Sequence, residues 1–232
     1  MKTLIIIPAY NEESCILDTV NDVRAKGYDY VVINDGSSDS TLQVCKDNNL
    51  TVLDLKSNLG IGGAVQAGHK YAFLNGYDVD IQFDGDGQHN IDYVEALLAQ
   101  IDSGADIAIG SRFIKGRESN FQSSAMRRVG IKWLSFLILL TAQVNVTDPT
   151  SGFRACNRSA IAMFAKDYPG DYPEPESIVC AVKKGLKVSE CPVEMRERLT
   201  GKSSIRPLGS IYYMIKVTLA ILIEATTNKR KK

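Results

Sequence analysis

The feature that most constrains the fold is an alternation of short apolar runs, rich in β-branched residues, with longer segments of helical pattern. The runs cover residues 3–7, 30–33, 51–55, 79–83 and 107–109. Strands separated by helices pair in parallel, since a parallel connection needs a crossover of about a dozen residues, and such apolar runs are typical of strands buried on both faces. The alternation therefore predicts an α/β fold: a mostly parallel, Rossmann-like sheet with helices on both faces.

Polar residues follow three of these runs at the point where each run ends. They are Pro8, Ala9, Tyr10, Asn11 and Glu12 after the first run, Asn34, Asp35, Gly36 and Ser37 after the second, and Asp84, Gly85 and Asp86 after the fourth. Ligands of open α/β sheets bind outside the carboxyl ends of the strands. Because three separate strand ends carry polar groups, we expect them to meet in one cleft.

The acidic stretch after the fourth run is where we expect the chemistry. Asp84 and Asp86 are separated only by Gly85, and Gln88 follows two residues later. A turn here can bring carboxylate and amide oxygens round one point, and such hard ligands hold Mg²⁺ or Mn²⁺ while water and a substrate phosphate complete the shell. The sequence predicts a metal and diphosphate site with Asp86, Gln88 and Asp84 as ligands; the alternative is an ordinary turn rich in Asp and Gly.

The composition argues against several other classes of protein. Lys and Arg (27) balance Asp and Glu (27), so the net charge gives no reason to expect a nucleic-acid partner. The five cysteines show no C-x-x-C spacing, which argues against a zinc site or disulfide framework and fits a reducing cytosol. Met1 and Lys2 lead directly into an apolar run, so we expect no signal peptide, and no apolar run of roughly 18 residues predicts a membrane span.

Two segments read as amphipathic helices that face a membrane. In residues 125–143, basic side chains lie off an apolar stripe, and in residues 206–232 a second stripe precedes a polybasic tail. The first stripe is Met126, Val129, Trp133, Phe136, Leu137 and Leu140, flanked by Arg127, Arg128 and Lys132; the second is Leu208, Tyr212, Ile215, Leu219 and Leu222, widened by Ile211, Val217 and Ile221. This arrangement is typical of helices at lipid headgroups, although a core helix with one solvated face gives a similar pattern.

Five short motifs occur in a recognisable order along the sequence. Together they resemble the family 2 glycosyltransferases of GT-A fold, and more narrowly the dolichol-phosphate mannose synthase-like, polyprenyl-phosphate branch. The resemblance implies a catalytic domain over residues 1–205, with residues 206–232 as a C-terminal helix and tail. The motifs are Ile6-Ile7-Pro8-Ala9-Tyr10-Asn11-Glu12, Asn34-Asp35-Gly36-Ser37-Ser38-Asp39, Asp84-Gly85-Asp86-Gly87-Gln88-His89, Gly110-Ser111-Arg112-Phe113 and Asp148-Pro149-Thr150-Ser151-Gly152-Phe153-Arg154.

The resemblance implies an activity and roles for individual residues. A UDP- or GDP-sugar would be the donor, a divalent metal would assist, and the sugar would pass with inversion to a polyprenyl phosphate at the cytoplasmic face of the membrane, for cell-surface glycan synthesis. The base and ribose would contact Pro8, Ala9, Tyr10, Glu12 and Asp35, with Asp84 on the ribose or metal side; the donor phosphates, the sugar or the acceptor phosphate would face Arg112, Ser151 and Arg154; and the basic segment with Arg196, Arg198 and Lys202 would close over the phosphates.

Physical chemistry supports a basic segment near the leaving group. Breaking a sugar–diphosphate bond develops negative charge, which a divalent ion with Arg198 and Lys202 would stabilise. Arginine binds phosphate through two parallel hydrogen bonds, so Arg196 and Arg198 are not equivalent to generic positive charge. The alternative for this segment is a solvated edge strand and loop.

The role of the acidic pair Glu174 and Glu176 stays open. They could be a general base, a sugar-binding carboxylate, or the capped start of a helix. A phosphate acceptor is already ionised at neutral pH and should need no base, whereas a sugar hydroxyl would need one. A glycan-extending transferase with a saccharide acceptor is therefore the main alternative, and a non-catalytic scaffold of the same fold is a third. The basic residues Arg127 and Arg128 favour the lipid phosphate.

Many members of the family continue into transmembrane helices, whereas this sequence stops at Lys232. We therefore expect the C-terminal helix either to dock with a small integral membrane protein or to lie flat on the cytoplasmic leaflet.

Overall fold

A computed structural model describes residues 1–114, 125–196 and 207–227, and the side chains of residues 125, 126, 207–211 and 227 are outside the description. The described strands form one seven-stranded sheet in the order β3-β2-β1-β4-β6-β5-β7. The strands are β1 (Thr3–Ala9), β2 (Asp29–Asn34), β3 (Val52–Asp54), β4 (Val79–Gln82), β5 (Ile107–Ser111), β6 (Arg154–Asn157) and β7 (Val188–Pro192).

Helices cover both faces of this sheet. They are α1 (Ile16–Ala25), α2 (Thr41–Asp47), α3 (Gly60–Leu74), α4 (Val94–Asp102) after a short 3₁₀ turn (Ile91–Tyr93), α5 (Ala125–Ala142), α6 (Arg158–Lys166), α7 (Pro173–Lys183) and α8 (Pro207–Thr227). Along β1, Leu4 and Ile6 belong to one apolar core and Ile5 and Ile7 to the other. Successive side chains of a strand point to opposite faces, so the run without polar residues is explained by a strand that is covered on both sides.

The direction of strand addition reverses between β1 and β4. β2 and β3 extend the sheet on one side of β1, and β4 pairs in parallel with its other side. In open α/β sheets the crevice at such a reversal, outside the carboxyl ends of the strands, is the usual ligand site. The topology thus selects the ends of β1 and β4.

β6 departs from the parallel pattern, because it pairs antiparallel with both β4 and β5. Its four residues, Arg-Ala-Cys-Asn, carry no apolar run that would mark a strand. Because it runs the opposite way, its first residue, Arg154, lies opposite Gln82 at the end of β4. The segment that precedes Arg154 therefore reaches the same edge of the sheet as the acidic stretch.

The last two long helices, α5 and α8, pack into the core with one face and leave the other exposed. The buried side chains of α5 and α8 belong to the core that contains Leu4 and Ile6 of β1. They include Leu134 and Ile138 of α5 and Val217 and Ile221 of α8. Leu137 also differs from its predicted place on the outer stripe, being only 5% exposed. The opposite faces form a surface that we call the apolar ledge: Val129, Trp133, Phe136 and Leu140 of α5 with Tyr212, Ile215, Leu219 and Leu222 of α8.

The two helices are joined by a hydrogen bond from Trp133 Nε1 to Thr218 Oγ1 at 3.0 Å. No helix in the described parts of the chain is long and apolar enough to cross a membrane.

Helix α3 lies against the loop before α7 without an intervening side chain. A Cβ added to Gly62 would lie 2.2 Å from the carbonyl oxygens of both Pro169 and Gly170. Real Cβ atoms do not come this close to a backbone oxygen, so the contact requires glycine.

Candidate active site

The ends of β1 and β2 are tied to the loop that precedes α3. The Asp35 backbone N–H donates to the Ala9 carbonyl at 2.9 Å, and the buried Asp35 carboxylate accepts from the Leu59 N–H at 2.7 Å. Gly36 has a positive φ of 63°, and a Cβ there would lie 2.7 Å from the Asn58 nitrogen. These contacts build one wall of the crevice from two strand ends and a helix start.

The loop after β1 is clamped to the loop after β2. Asn11 adopts a left-handed backbone (φ 58°), and its Oδ1 accepts the N–H groups of Ser38 and Asp39 at 2.8 and 3.3 Å. The Glu12 N–H donates to Thr41 Oγ1 at 2.8 Å. The predicted base and ribose residues, with Pro8 buried and Tyr10 exposed between them, thus belong to one cross-linked pair of loops.

The acidic turn is fixed against the end of β1. The Gly85 N–H donates to the Pro8 carbonyl at 3.3 Å, and a Cβ at Gly85 would lie only 3.0 Å from that oxygen. Gly87 has a positive φ of 74°, and the Gln88 N–H donates to Asp86 Oδ1 at 3.0 Å. The turn therefore places the side chains of Asp84, Asp86 and Gln88 at the reversal point of the sheet.

The residues of this turn fit a hard divalent cation by their chemistry. Two carboxylates and one amide from a single turn supply oxygen ligands of the kind that Mg²⁺ and Mn²⁺ take. Asp84 keeps 36% of its side chain exposed, whereas Asp86 is 7% exposed.

A different group within the described residues has metal-like composition but lies deep in the core. His69, Asp80 and Cys156 bring their ligand atoms within 4.8 Å of one another, and all three are buried. His69 Nδ1 is 2.7 Å from Asp80 Oδ2, and burial raises the pKa of the Cys156 thiol well above its ordinary value. A protonated thiol beside a hydrogen-bonded His–Asp pair is a polar contact of the core, and we assign it no metal.

The structure directs Arg112 to a carboxylate of the protein. Its Nε and Nη2 donate to the two oxygens of Asp148 at 2.6 and 2.8 Å, and Nη2 also donates to Thr150 Oγ1 at 3.1 Å. Both partners of this ion pair are buried. Because removing one partner of a buried pair leaves an uncompensated charge, Arg112 first of all holds the 148–150 loop against the end of β5.

Arg154 likewise holds loops together. Its guanidinium donates to the carbonyls of Ser151, Glu174 and Pro149 at 2.7, 2.7 and 2.9 Å, and to Ser177 Oγ at 3.0 Å. These bonds join the loop before β6 to the start of α7, and the contact of Arg154 with the donor phosphates, the sugar or the acceptor phosphate stays a prediction. Ser151 lies in that loop, and its buried hydroxyl has no hydrogen-bond partner among the residues that the structure describes.

The structure separates the two glutamates that the sequence left equivalent. Glu174 lies on the site side: burial raises the pKa of its carboxyl, Arg154 opposes this shift, and the charge of Asp84 adds to it. For Glu176, burial raises the pKa, and the next contributions come from Glu224, Asp167 and Asp171, which lie on the side of α8. Of the two glutamates, Glu174 is therefore the one nearer to the acidic turn.

The basic residues of α5 border the same region. Desolvation and the charge of Arg112 lower the pKa of Arg127, with Asp148 and Tyr213 as further charged or polar neighbours. Burial and the charge of Glu174 raise the pKa of Tyr213. Arg127 and the α8 residue Tyr213 thus adjoin the Arg112–Asp148 pair and Glu174, and Arg127 and Arg128 are both exposed.

The predicted phosphate-closing segment is described only at its beginning. The Arg196 N–H donates to the Gln88 carbonyl at 2.8 Å, and its guanidinium pairs with Asp22 of α1. The segment therefore begins in contact with the main chain of the acidic turn at Gln88. Arg198 and Lys202 lie outside the described residues.

Three residues of the site escaped the sequence reasoning as individuals: His89, Asp148 and Tyr213. His89 and Asp148 lie inside the quoted motifs, so the motifs marked their positions but did not indicate what they do. Tyr213 lies on the apolar helix α8 and had no local signal.

Comparison with known proteins gives a consistent result. The model of the family described as glycosyl transferase family 2 matches residues 4–164. A UDP-N-acetylglucosamine–dolichyl-phosphate N-acetylglucosaminyltransferase of Methanococcus voltae is 33% identical over 211 residues, which cover 82% of this chain and 84% of the relative. A polyprenol monophosphomannose synthase of Mycolicibacterium smegmatis is 30% identical over 230 residues, covering 93% and 85%.

Among solved structures, a glucosyl-3-phosphoglycerate synthase of Mycobacterium tuberculosis, crystallised with Mn²⁺, uridine diphosphate and glucosyl-3-phosphoglycerate, superposes with a TM-score of 0.69. It is 16% identical, and the match covers 97% of this chain and 79% of that one. The likeness confirms the predicted fold class.

Proposed function

Since the chain belongs to glycosyl transferase family 2, as its motifs predicted, we propose that it transfers a hexosyl or N-acetylhexosaminyl group from a UDP- or GDP-sugar to a polyprenyl phosphate, with inversion at the anomeric carbon. The observation that carries the proposal is the acidic turn fixed at the reversal point of the sheet, together with helix α5, which brings Arg127 near the Arg112–Asp148 pair and has an apolar outer face. Two relatives that cover most of the chain carry names that state a polyprenyl-phosphate acceptor.

On the donor side, the clamped loops after β1 and β2 would hold the base and ribose against Asp35. Asp84, Asp86 and Gln88 would hold Mg²⁺ or Mn²⁺, which when bound neutralises charge on the diphosphate. The chain's own task is positioning: the Asp35 carboxylate is held by the Leu59 N–H and the Asp86 carboxylate by the Gln88 N–H, so little reorganisation of these groups is needed when the leaving group gains charge.

On the acceptor side, Arg127 would bind the phosphate of the lipid. A phosphate monoester is ionised at neutral pH, so its attack on the sugar requires alignment and no proton acceptor. Glu174, whose pKa is raised by burial, would then contact a hydroxyl of the sugar. Arg198 and Lys202 would add positive charge above the diphosphate.

The apolar ledge would rest on the cytoplasmic face of a membrane. Arg127, Arg128 and Lys132 lie beside it on the same helix, and basic residues next to an apolar face favour anionic lipid surfaces. A small integral membrane protein that covers part of α8 would provide the same attachment. In either case the acceptor phosphate would reach Arg127 from the headgroup level.

A saccharide acceptor is the second candidate, and the position of Glu174 near Asp84 favours it. A hydroxyl acceptor needs a base, so Glu174→Gln should then abolish transfer. With a phosphate acceptor, the same change should leave turnover within about tenfold, since only a sugar contact is lost. Glu176→Gln is the matched control, because Glu176 lies on the other side of α7.

The test is a screen of purified protein with Mn²⁺ or Mg²⁺, undecaprenyl phosphate and a panel of UDP- and GDP-sugars, with free oligosaccharides as competing acceptors. We expect a lipid-linked sugar of inverted configuration from one donor class. Transfer to oligosaccharide alone, with no lipid product from any donor, would contradict the proposal.

A further inference from the structure

His89 lies directly behind the acidic turn and is 3% exposed. Its ring stacks on Phe153 at a centroid distance of 4.7 Å and an angle of 18°, and it meets the edge of Phe83 at 5.4 Å. Two aromatic neighbours in different orientations leave the imidazole one plane to occupy. Its Nδ1 then faces the backbone of Asp84.

The hydrogen bonds fix the tautomer of this ring. The Asp84 backbone N–H donates to His89 Nδ1 at 3.0 Å. A backbone amide can only donate, so Nδ1 is the unprotonated acceptor and the neutral ring carries its proton on Nε2. Nε2 itself lies 3.5 Å from Asp84 Oδ2. Because the two ring nitrogens point in nearly opposite directions, the Nε2–H is not aimed at that oxygen, so this contact is electrostatic and is not a hydrogen bond.

The same carboxylate is held from two further sides. Gln82 Nε2 donates to Asp84 Oδ1 at 3.1 Å. A Cβ at Gly152 would lie 3.2 Å from Asp84 Oδ2 and 2.8 Å from Gln82 Nε2, so the backbone at Gly152 closes the remaining side. The Asp84 carboxylate is therefore held by the Gln82 amide and enclosed by His89 and the backbone of Gly152, and 36% of the side chain stays exposed.

We propose that His89 is a positioning residue: through Nδ1 of its neutral, Nε2-protonated imidazole it fixes the backbone of Asp84, and with it the start of the side chain, in the orientation that receives the metal-bound nucleotide. This inference rests on the proposed function and extends it to a residue that touches neither substrate nor metal. Without the clamp, the Asp84 carboxylate would sample several rotamers, and each binding event would have to select one. The cost appears as weaker binding of the metal–nucleotide complex.

Three variants separate the effect of the Nδ1 hydrogen bond from that of the Nε2 contact with Asp84. His89→Asn keeps an acceptor near the position of Nδ1, His89→Gln keeps a donor near the position of Nε2, and His89→Phe keeps the ring between its aromatic neighbours but removes both polar contacts. The sequence has only one other histidine. His69 is equally buried and is bonded through Nδ1 to Asp80 in the core, so His69→Asn is the matched control for stability.

The first measurement is calorimetric binding of Mn²⁺ together with UDP, and with GDP in parallel, to the full chain. Loss of an outer hydrogen-bond partner of a metal ligand commonly costs ten- to a hundredfold in affinity, so we expect about that loss for His89→Phe and a smaller one for His89→Asn and His89→Gln. His69→Asn should lower the melting temperature while leaving the affinity within about twofold. The donor KM should rise with the affinity loss, and the KM for polyprenyl phosphate should not.

The second measurement is ¹⁵N NMR of the two imidazoles, which reports the tautomer without any ligand. We expect an unprotonated Nδ1 at His89 and a protonated Nδ1 at His69. Wild-type affinity in His89→Phe with a lowered melting temperature, or a protonated Nδ1 at His89, would overturn the positioning role. Wild-type protein that binds Mn²⁺ and nucleotide but makes no lipid-linked sugar would contradict the proposed function alone; wild-type protein that binds neither nucleotide would remove both.

Discussion

The half of the molecule that we propose to bind the donor (the donor half) is built on the ends of β1, β2 and β4. It differs in kind from the half that we propose to bind the acceptor (the acceptor half), which is built on α5, α7 and α8. In the donor half, polar loops are satisfied by short bonds to one another, such as those of Asn11 and Asp35. In the acceptor half, apolar side chains as large as Trp133 and Phe136 remain about half exposed. A nucleotide sugar needs a preformed polar pocket, whereas a polyprenyl phosphate needs an apolar surface for its chain next to positive charge for its phosphate.

The largest expected effect is at the acidic turn, which belongs to the donor half and should be needed for transfer to any acceptor. Asp86→Ala removes a carboxylate from the proposed cation site, so we expect transfer to fall at least about a thousandfold, and removal of the metal by a chelator to have the same effect. Product formation with undecaprenyl phosphate measures this. Asp102→Ala, an exposed acid at the end of α4, is the control; near-normal turnover in Asp86→Ala would refute the metal assignment.

A change on the ledge should affect lipid delivery and leave the donor half intact. Leu140 and Leu219 are 67% and 53% exposed, and aspartate at both positions puts charge where apolar contact with lipid is expected. We expect the fraction that floats with anionic liposomes to fall about tenfold or more, and turnover of a water-soluble, short-chain polyprenyl phosphate to stay within about twofold. Leu74→Asp, on an exposed apolar residue of α3 (80% exposed), should float normally.

The smallest expected effect concerns pH and Glu174. Its pKa is raised in the folded chain, mainly by burial, so the folded state binds a proton more tightly than the unfolded state. The stability penalty is absent below the ordinary carboxyl pKa and grows as the pH rises through the folded value. Glu174→Gln should therefore raise the melting temperature by about 1–3 °C at pH 8 and leave it unchanged near pH 4; an equal gain at both values would contradict the assignment.

The donor half was predictable because each of its signals is local. The apolar runs marked β1, β2 and β4, and the polar residues after each run lie at the sheet edge where the parallel topology must put them. The family resemblance was likewise confirmed. β6 could not be foreseen, because a four-residue strand without an apolar run has no period to detect.

The roles of the arginines were harder to predict, since they depend on partners distant in sequence or on backbone carbonyls. Arg112 pairs with Asp148, which is thirty-six residues away in the sequence. Arg154 donates mainly to backbone carbonyls, and no sequence pattern indicates which carbonyls will lie near it. The separation of Glu174 from Glu176 was within reach, because residues two apart on a helix do not share a face. That reasoning required knowing that the helix α7 begins at Pro173.

The contact of Gly62 with the Pro169 and Gly170 carbonyls acts as a spacer of fixed length between the two halves. Since main chain meets main chain there, the distance from the start of α3 to the loop that leads to Glu174 does not depend on the size of any side chain. Side chains around the proposed donor site can therefore be exchanged without a change in that distance.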